Sequence, residues 1–152
     1  MDAICYNLLL IDDDLGQIDL ARRAAAECCP EINLIVVGGG DAIMDWLESC
    51  LENKQQMPRI ILLDLKLPKL DGLAVLRKLR LHDATRDIPI VVFSSEYTHS
   101  DVLMSYQVGA NTFVPKPTDL AQFSEFFRER LAYWKHPQQR ELVFAPKGRM
   151  TE

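Results

Sequence analysis

Residues 60–72 read Ile-Ile-Leu-Leu-Asp-Leu-Lys-Leu-Pro-Lys-Leu-Asp-Gly. The first four form an unbroken apolar run, without the alternation of a strand that has one wet face. Such a run fits a parallel strand buried on both faces. Three more have the same character: Leu8-Leu9-Leu10-Ile11, Leu34-Ile35-Val36-Val37 and Ile90-Val91-Val92-Phe93. A shorter fifth, Thr112-Phe113-Val114, meets Pro115, which cannot donate to a sheet ladder, so this strand is expected at an edge or at its end.

Between the runs, apolar residues recur at spacings of three and four, predicting helices over 15–28, 41–53, 72–81, 99–107 and 118–133. Asp41 is expected to cap the second, and Thr118 or Asp119 the last. Strict alternation gives a (βα)5 chain, an α/β fold whose parallel sheet carries helices on both faces. In such sheets ligands bind beyond the carboxyl ends of the strands.

Those ends carry the chemistry. The first run leads into Asp12-Asp13-Asp14, the third into Asp64, the fourth into Ser94-Ser95, and the fifth into Pro115-Lys116-Pro117. Several carboxylates in one crevice repel one another, and a divalent cation relieves the conflict. Hard oxygen ligands favour Mg²⁺. One Asp then remains as a nucleophile toward phosphorus, and a hydroxyl and a lysine can bind phosphoryl oxygens. Singly, each residue has a plainer reading: Asp14 as the cap of the helix from Leu15, Asp12 or Asp13 as turn residues, Ser94 and Ser95 as a turn, Lys116 as a solvated lysine. Their recurrence at successive strand ends argues for a site. Gly38-Gly39-Gly40 lacks the Gly-Lys-Ser/Thr of a phosphate loop and reads as a strand-to-helix turn.

The 152 residues, 48% hydrophobic and 26% charged with net charge -5, fit one soluble domain and argue against bulk nucleic-acid affinity. No apolar run is long enough to span a membrane, and the N-terminus has no secretory pattern, so the cytosol is expected. Cys5, Cys28, Cys29 and Cys50 are expected as reduced, mostly buried thiols, without metal spacing. His82, His99 and His136 are read as surface residues. Residues 133–152 carry Lys135, Arg140, Lys147 and Arg149 against Glu141 and Glu152, so this end is basic where the whole is acidic.

LLLIDDD, ILLDLKLPKLDG, IPIVVFSS and FVPKP, in this order and spacing, resemble the receiver domain of two-component response regulators over about residues 5–132. With SYQVGAN and a YW after the last helix, the chain is most similar to the small single-domain regulators associated with cyanobacterial phytochromes. The resemblance implies a flavodoxin-like, doubly wound sheet of strand order 2-1-3-4-5. It also implies a phosphorelay function: Asp64 accepts a phosphoryl group from a sensor histidine kinase, here a phytochrome, and the signal passes to a downstream protein by protein–protein contact. Self-phosphorylation and self-dephosphorylation would be slow and Mg²⁺-dependent.

Residue by residue, the resemblance assigns Mg²⁺ to Asp12, Asp13, Asp64 and the backbone carbonyl of Lys66. Ser94 and Lys116 would take phosphoryl oxygens. Ser94 and Phe113 would form the switch, with Phe113 turning inward as Ser94 moves. Pro117 would follow a cis peptide. Phe113 stands where the family more often has Tyr, and Pro115 before the lysine is unusual. Lys66, Ser95 and Glu96 should rim the pocket, and an ion pair between Lys66 and Glu96 is expected to slow water attack severalfold.

The chain is expected to divide into a receiver domain, 1–132, and a C-terminal extension, 133–152, ordered because Tyr133, Trp134 and Leu142-Val143-Phe144 would otherwise be exposed. The resemblance implies a homodimer through the face of the fourth and fifth helices, to which the extension adds contacts. The alternative from a different class is a haloacid-dehalogenase-type phosphatase using Asp12 and Asp14. The chain is short for that enzyme and lacks a later acidic pair. A flavodoxin-like cofactor module would repel its phosphate with the same carboxylates.

Overall fold

The computed structural model describes residues 6–38, 41–52, 57–67 and 71–131. Strands β1 (Tyr6–Ile11), β2 (Ile32–Val37), β3 (Ile60–Asp64), β4 (Ile90–Ser94) and β5 (Thr112–Pro115) alternate with helices α1 (Leu15–Cys28), α2 (Asp41–Glu52), α3 (Gly72–Leu81), α4 (His99–Val108) and α5 (Leu120–Glu125). Every strand pairing is parallel, in the order β2-β1-β3-β4-β5. The sheet is therefore the five-stranded, doubly wound one expected, with β5 at an edge. The chain first winds from β1 to β2, then crosses back to β3, so the topological switch point lies between β1 and β3.

The apolar runs of β1, β3 and β4 have the burial their pattern requires, whereas Leu34, Ile35 and Val36 of β2, the other edge strand, are only half-buried. Leu8, Leu10, Leu62 and Phe93 pack on one face with Ala21, Ala24 and Phe127 of the chain's first and last helical segments. Leu9, Ile11, Leu63 and Val92 pack on the other with Ile43, Leu47, Val75 and Leu76. Both faces of β3 and β4 are buried at every position.

Local chemistry fixes the helix ends. Asp14 caps α1, accepting from Gly16 N and Gln17 N at 3.0 and 3.2 Å, and Asp71 caps α3 by accepting from Leu73 N. Asp41 is itself the first residue of α2, one position inside the expected cap, a normal uncertainty of helix boundaries. Thr98 and Asp101 close a reciprocal capping box on α4. At Gly72 a side chain would overlap the Leu65 carbonyl, which accepts the Gly72 N–H at 3.1 Å and closes the β3–α3 loop.

The last helix departs from expectation. It starts after the Asp119 cap, but beyond Glu125 it widens into a π-helical turn, Phe126–Arg130. The wider turn lets the adjacent Phe126 and Phe127 both reach the core, at 4% and 1% exposure. Residues 132–152 lie outside the described parts, and with them Tyr133, Trp134 and the whole expected extension. Cys28 is half-buried and Cys29 buried, neither in a disulfide. Among the described residues no helix is long and apolar enough to cross a membrane.

At the amino ends of β4 and β5, Arg80 from α3 ties two loops together. Its guanidinium donates to the carbonyls of Gly109 (2.8 Å), Arg86 (3.0 Å) and Ile88 (2.7 Å) and to Asn111 Oδ1 (2.6 Å). Asn111 Oδ1 also accepts from Ile90 N at 2.8 Å, locking the start of β4. Gly109 ends α4 at φ +136°, which an L side chain would strain to adopt.

Candidate functional site

At the opposite end of the sheet, β1 and β3 deliver Asp12 and Asp64 side by side across the switch point, and the segment after β5 delivers Lys116. The Lys116 ammonium lies 2.8 Å from Asp12 Oδ2 and 3.1 Å from Asp64 Oδ2. All three are buried, at 1%, 7% and 8% exposure. Backbone groups hold the carboxylates in place: Asp14 N donates to Asp12 Oδ1 and Lys66 N to Asp64 Oδ1. A pocket of about 360 Å³ opens above them, lined by Asp12, Asp13, Asp14, Asp64, Lys66, Ser95 and Lys116.

The electrostatics follow from burying two acids beside one base. Burial pushes the Asp64 carboxyl above the usual carboxylate range; Lys116 opposes this, and the charge of Asp12 adds to it. For Lys116, burial alone would lower the ammonium. The hydrogen bond and charge of Asp12, then those of Asp64, more than offset it and hold the group above its ordinary value. One cation is therefore shared between two anions, leaving the cluster short of positive charge.

The donor set suits a hard divalent cation. Asp12, Asp13 and Asp64 line one pocket together with Lys66, and their carboxylates offer only oxygen. The described residues do not form a preassembled group of three such ligands. Asp13 stands on the exposed rim, and Lys116 occupies the space between the other two carboxylates.

Several expectations need correction. Lys66 pairs with Asp101 at 3.4 Å and not with Glu96. Asp101 is oriented toward the site by its capping-box bond to Thr98 N, which also holds its carboxyl below the usual range, ahead of the smaller effect of Lys66. Glu96 is exposed and does not line the pocket. Pro117 does not follow a cis bond, because no described peptide is cis. The ordinary trans preference of the amide is unopposed here, since Lys116 reaches both carboxylates as it stands.

Ser94 is fully buried, and its hydroxyl donates to the Glu96 carbonyl at 2.7 Å, turned away from the pocket. Phe113 is already inside, 5% exposed, so no inward turn remains for it. Lacking a hydroxyl, it gains nothing from water. Tyr97, 43% exposed, covers its ring edge-to-face at 4.9 Å. The Phe113 N–H donates to Tyr106 Oη at 3.2 Å. The sequence pattern marks Tyr106 as an apolar-face residue of the 99–107 helix and gives no role to Tyr97 or Asp101. For Asp101 a signal existed, the Thr-x-x-Asp spacing of a capping box before an apolar helix.

Comparison with known proteins agrees with this geometry. The family model described as the response regulator receiver domain matches residues 8–128. The response regulator Rcp1 of Synechocystis sp. is 28% identical over 128 residues, spanning 84% of this chain and 87% of Rcp1. The Mn²⁺-bound structure of Rcp1 superimposes with a TM-score of 0.72 at 27% identity, covering 87% of this chain and 96% of that one. The phosphorylated cyanobacterial phytochrome response regulator RcpA matches with a TM-score of 0.75 and 28% identity over 86% of this chain and 94% of its own. The bacteriophytochrome response regulator RtBRR matches at 0.66 and 34% identity, covering 82% and 77%.

Proposed function

Because the chain belongs to the response regulator receiver domain family and is homologous to phytochrome-associated regulators, we propose that it is a single-domain switch phosphorylated on Asp64 by a sensor histidine kinase, a phytochrome. The observation that carries this reading is the pair of buried carboxylates sharing Lys116 beneath an open pocket. A phosphatase using Asp12 and Asp14 finds no support: Asp14 caps α1 and the matched family is another one.

Asp64 Oδ1 is fixed by the Lys66 N–H and Oδ2 by Lys116. A carboxylate oxygen attacks the phosphorus of the donor phosphohistidine. The P–O bond forms as the P–N bond breaks, and the imidazole keeps the electron pair. Asp12, Asp13, Asp64 and the Lys66 carbonyl would hold Mg²⁺, which supplies positive charge to the carboxylates and the phosphoryl oxygens. Lys116 follows the phosphoryl group, exchanging a carboxylate partner for a phosphoryl oxygen.

Ser94 completes the change. To donate to the phosphoryl group its hydroxyl leaves the Glu96 carbonyl, which frees the Ser95–Thr98 segment. Tyr97 then shifts over the buried Phe113 and alters the α4–β5 surface. In this reading Phe113 is the floor of the switch and Tyr97 its moving ring. Self-phosphorylation from small donors and self-dephosphorylation are slow. Output is by contact with a downstream protein in the cytoplasm, and the receiver, 1–132, forms a homodimer to which the extension, 133–152, adds contacts.

Phosphotransfer profiling against purified phytochrome kinases tests the partner. Transfer to wild type that is lost in Asp64→Asn supports it, and absence of transfer from every phytochrome kinase contradicts it. Light scattering tests the assembly: a dimer for the full chain and a smaller mass after truncation at Ala132 are expected. A monomeric full chain would refute the dimer, and an unchanged mass the role of the extension.

A further inference from the structure

Gly38 is the first of three glycines after β2. Two described glycines answer a backbone need: at Gly72 a side chain would meet the Leu65 backbone, and Gly109 has a positive φ. Gly38 has no such need. Its φ is outside the left-handed region, and the described atom nearest to an added Cβ is a side-chain oxygen. That Cβ would lie 2.8 Å from Asp13 Oδ1 and 4.0 Å from Asp13 Cγ.

We propose that Gly38 is a positioning residue for Asp13: by lacking a Cβ it reserves the space that the Asp13 carboxylate occupies at the rim of the cation site. This rests on the reading of Asp13 as a metal ligand. The two positions cannot drift apart, because the sheet holds them in register. Ile11 pairs with Val37, and Asp12 N donates to Val37 O at 3.2 Å. Backbone thus fixes Gly38 beside Asp13, and only the Asp13 side chain can give way to a substituent. A carboxylate is easily rotated, so the fold tolerates alanine at 38 while the carboxylate moves.

The consequence depends on the cation. Mg²⁺ demands near-ideal octahedral geometry, whereas Ca²⁺ accepts irregular oxygen shells. Displacing one ligand by its neighbour therefore weakens Mg²⁺ more than Ca²⁺. Losses from disturbing a ligand's support are about tenfold or more.

Isothermal titration of the full-length chain with Mg²⁺ and Ca²⁺, in the absence of any phosphodonor, tests this. In Gly38→Ala the metal-free protein is expected to melt no lower than wild type, Mg²⁺ to bind about tenfold more weakly, and Ca²⁺ to lose less. Gly38→Ser, with the same Cβ, should behave alike. In an Asp13→Ala background the Gly38→Ala substitution should add no further loss, because the side-chain oxygen it displaces is gone. Unchanged Mg²⁺ affinity in Gly38→Ala, or an equal additional loss in the Asp13→Ala background, overturns the proposal. If wild type binds no Mg²⁺, or Asp13→Ala binds it as wild type does, the reading of Asp13 as a ligand fails first.

Discussion

The two ends of the sheet each hold a cation, half-buried in Arg80 and buried in Lys116, and they use it in opposite ways. At the amino ends, Arg80 hydrogen-bonds neutral acceptors, three backbone carbonyls within 3.0 Å and the Asn111 side chain, with the charge of Asp87 nearby. The planar fork distributes one charge over fixed partners, giving a staple between α3 and the loops that start β4 and β5. At the carboxyl ends, Lys116 meets two carboxylates, a third stands at the rim, and a pocket lies above. There the charges do not balance. A saturated network rigidifies; one short of positive charge has room for the cation that the proposed phosphoryl chemistry requires. The difference separates a structural cluster from the candidate functional one.

The sharpest way to break this contrast is to disrupt the contacts of each cation. Lys116→Ala strands two buried carboxylates and should destabilise the metal-free protein by about 3–5 kcal/mol at pH 7. The loss should shrink as the pH falls and the raised Asp64 carboxyl takes up a proton, and also with added Mg²⁺. Chemical denaturation at neutral and acidic pH checks this. Arg80→Lys should cost about 2–3 kcal/mol, the loss of one or two charge-assisted bonds that an ammonium cannot replace. Neither pH nor Mg²⁺ should rescue it. A Mg²⁺-dependent recovery of Arg80→Lys would erase the distinction.

Asp64→Asn sharpens it from the other side. Burial raises the Asp64 carboxyl in the folded chain, so its ionised form is held less well folded than unfolded. Removing that charge should raise the metal-free melting temperature at neutral pH. The gain should vanish below the unfolded carboxyl value of about 3.9, where both states carry the proton. A lower melting temperature at pH 7 would mean that the site is not short of positive charge. The smallest effect is expected at the rim. Lys66 and Asp101 are 56% and 22% exposed in their side chains, so Lys66→Ala should change stability by about 0.2–1 kcal/mol.

What could be read from the sequence follows the same division. The strands were legible because an unbroken apolar run admits little besides a strand buried on two faces. Asp12, Asp64 and Lys116 were legible because each follows such a run, and topology then brings the ends together, whereas the Ser94 hydroxyl bonds to the Glu96 carbonyl. Partner choice was not legible. Counting along the chain placed Lys66 and Glu96 near the pocket, but the capping box aims Asp101, not Glu96, at the lysine. Arg80 sits in a helical segment like any surface arginine, and its acceptors combine the loop just after α3 with Gly109 and Asn111, which are distant in sequence. The inward position of Phe113 and the covering Tyr97 depend on how the β4–α4 loop folds back, which no local pattern encodes. The π turn at Phe126–Arg130 arises from packing adjacent phenylalanines, and a helical repeat of 3.6 hides it.

The most direct test of the central claim is to map the phosphoryl group. Full-length protein is incubated with acetyl phosphate and Mg²⁺, and its proteolytic peptides are analysed by mass spectrometry. One phosphoryl group on Asp64, absent without Mg²⁺ and absent in Asp64→Asn, is the predicted result. Labelling that persists in Asp64→Asn but disappears in Asp12→Asn would contradict the account.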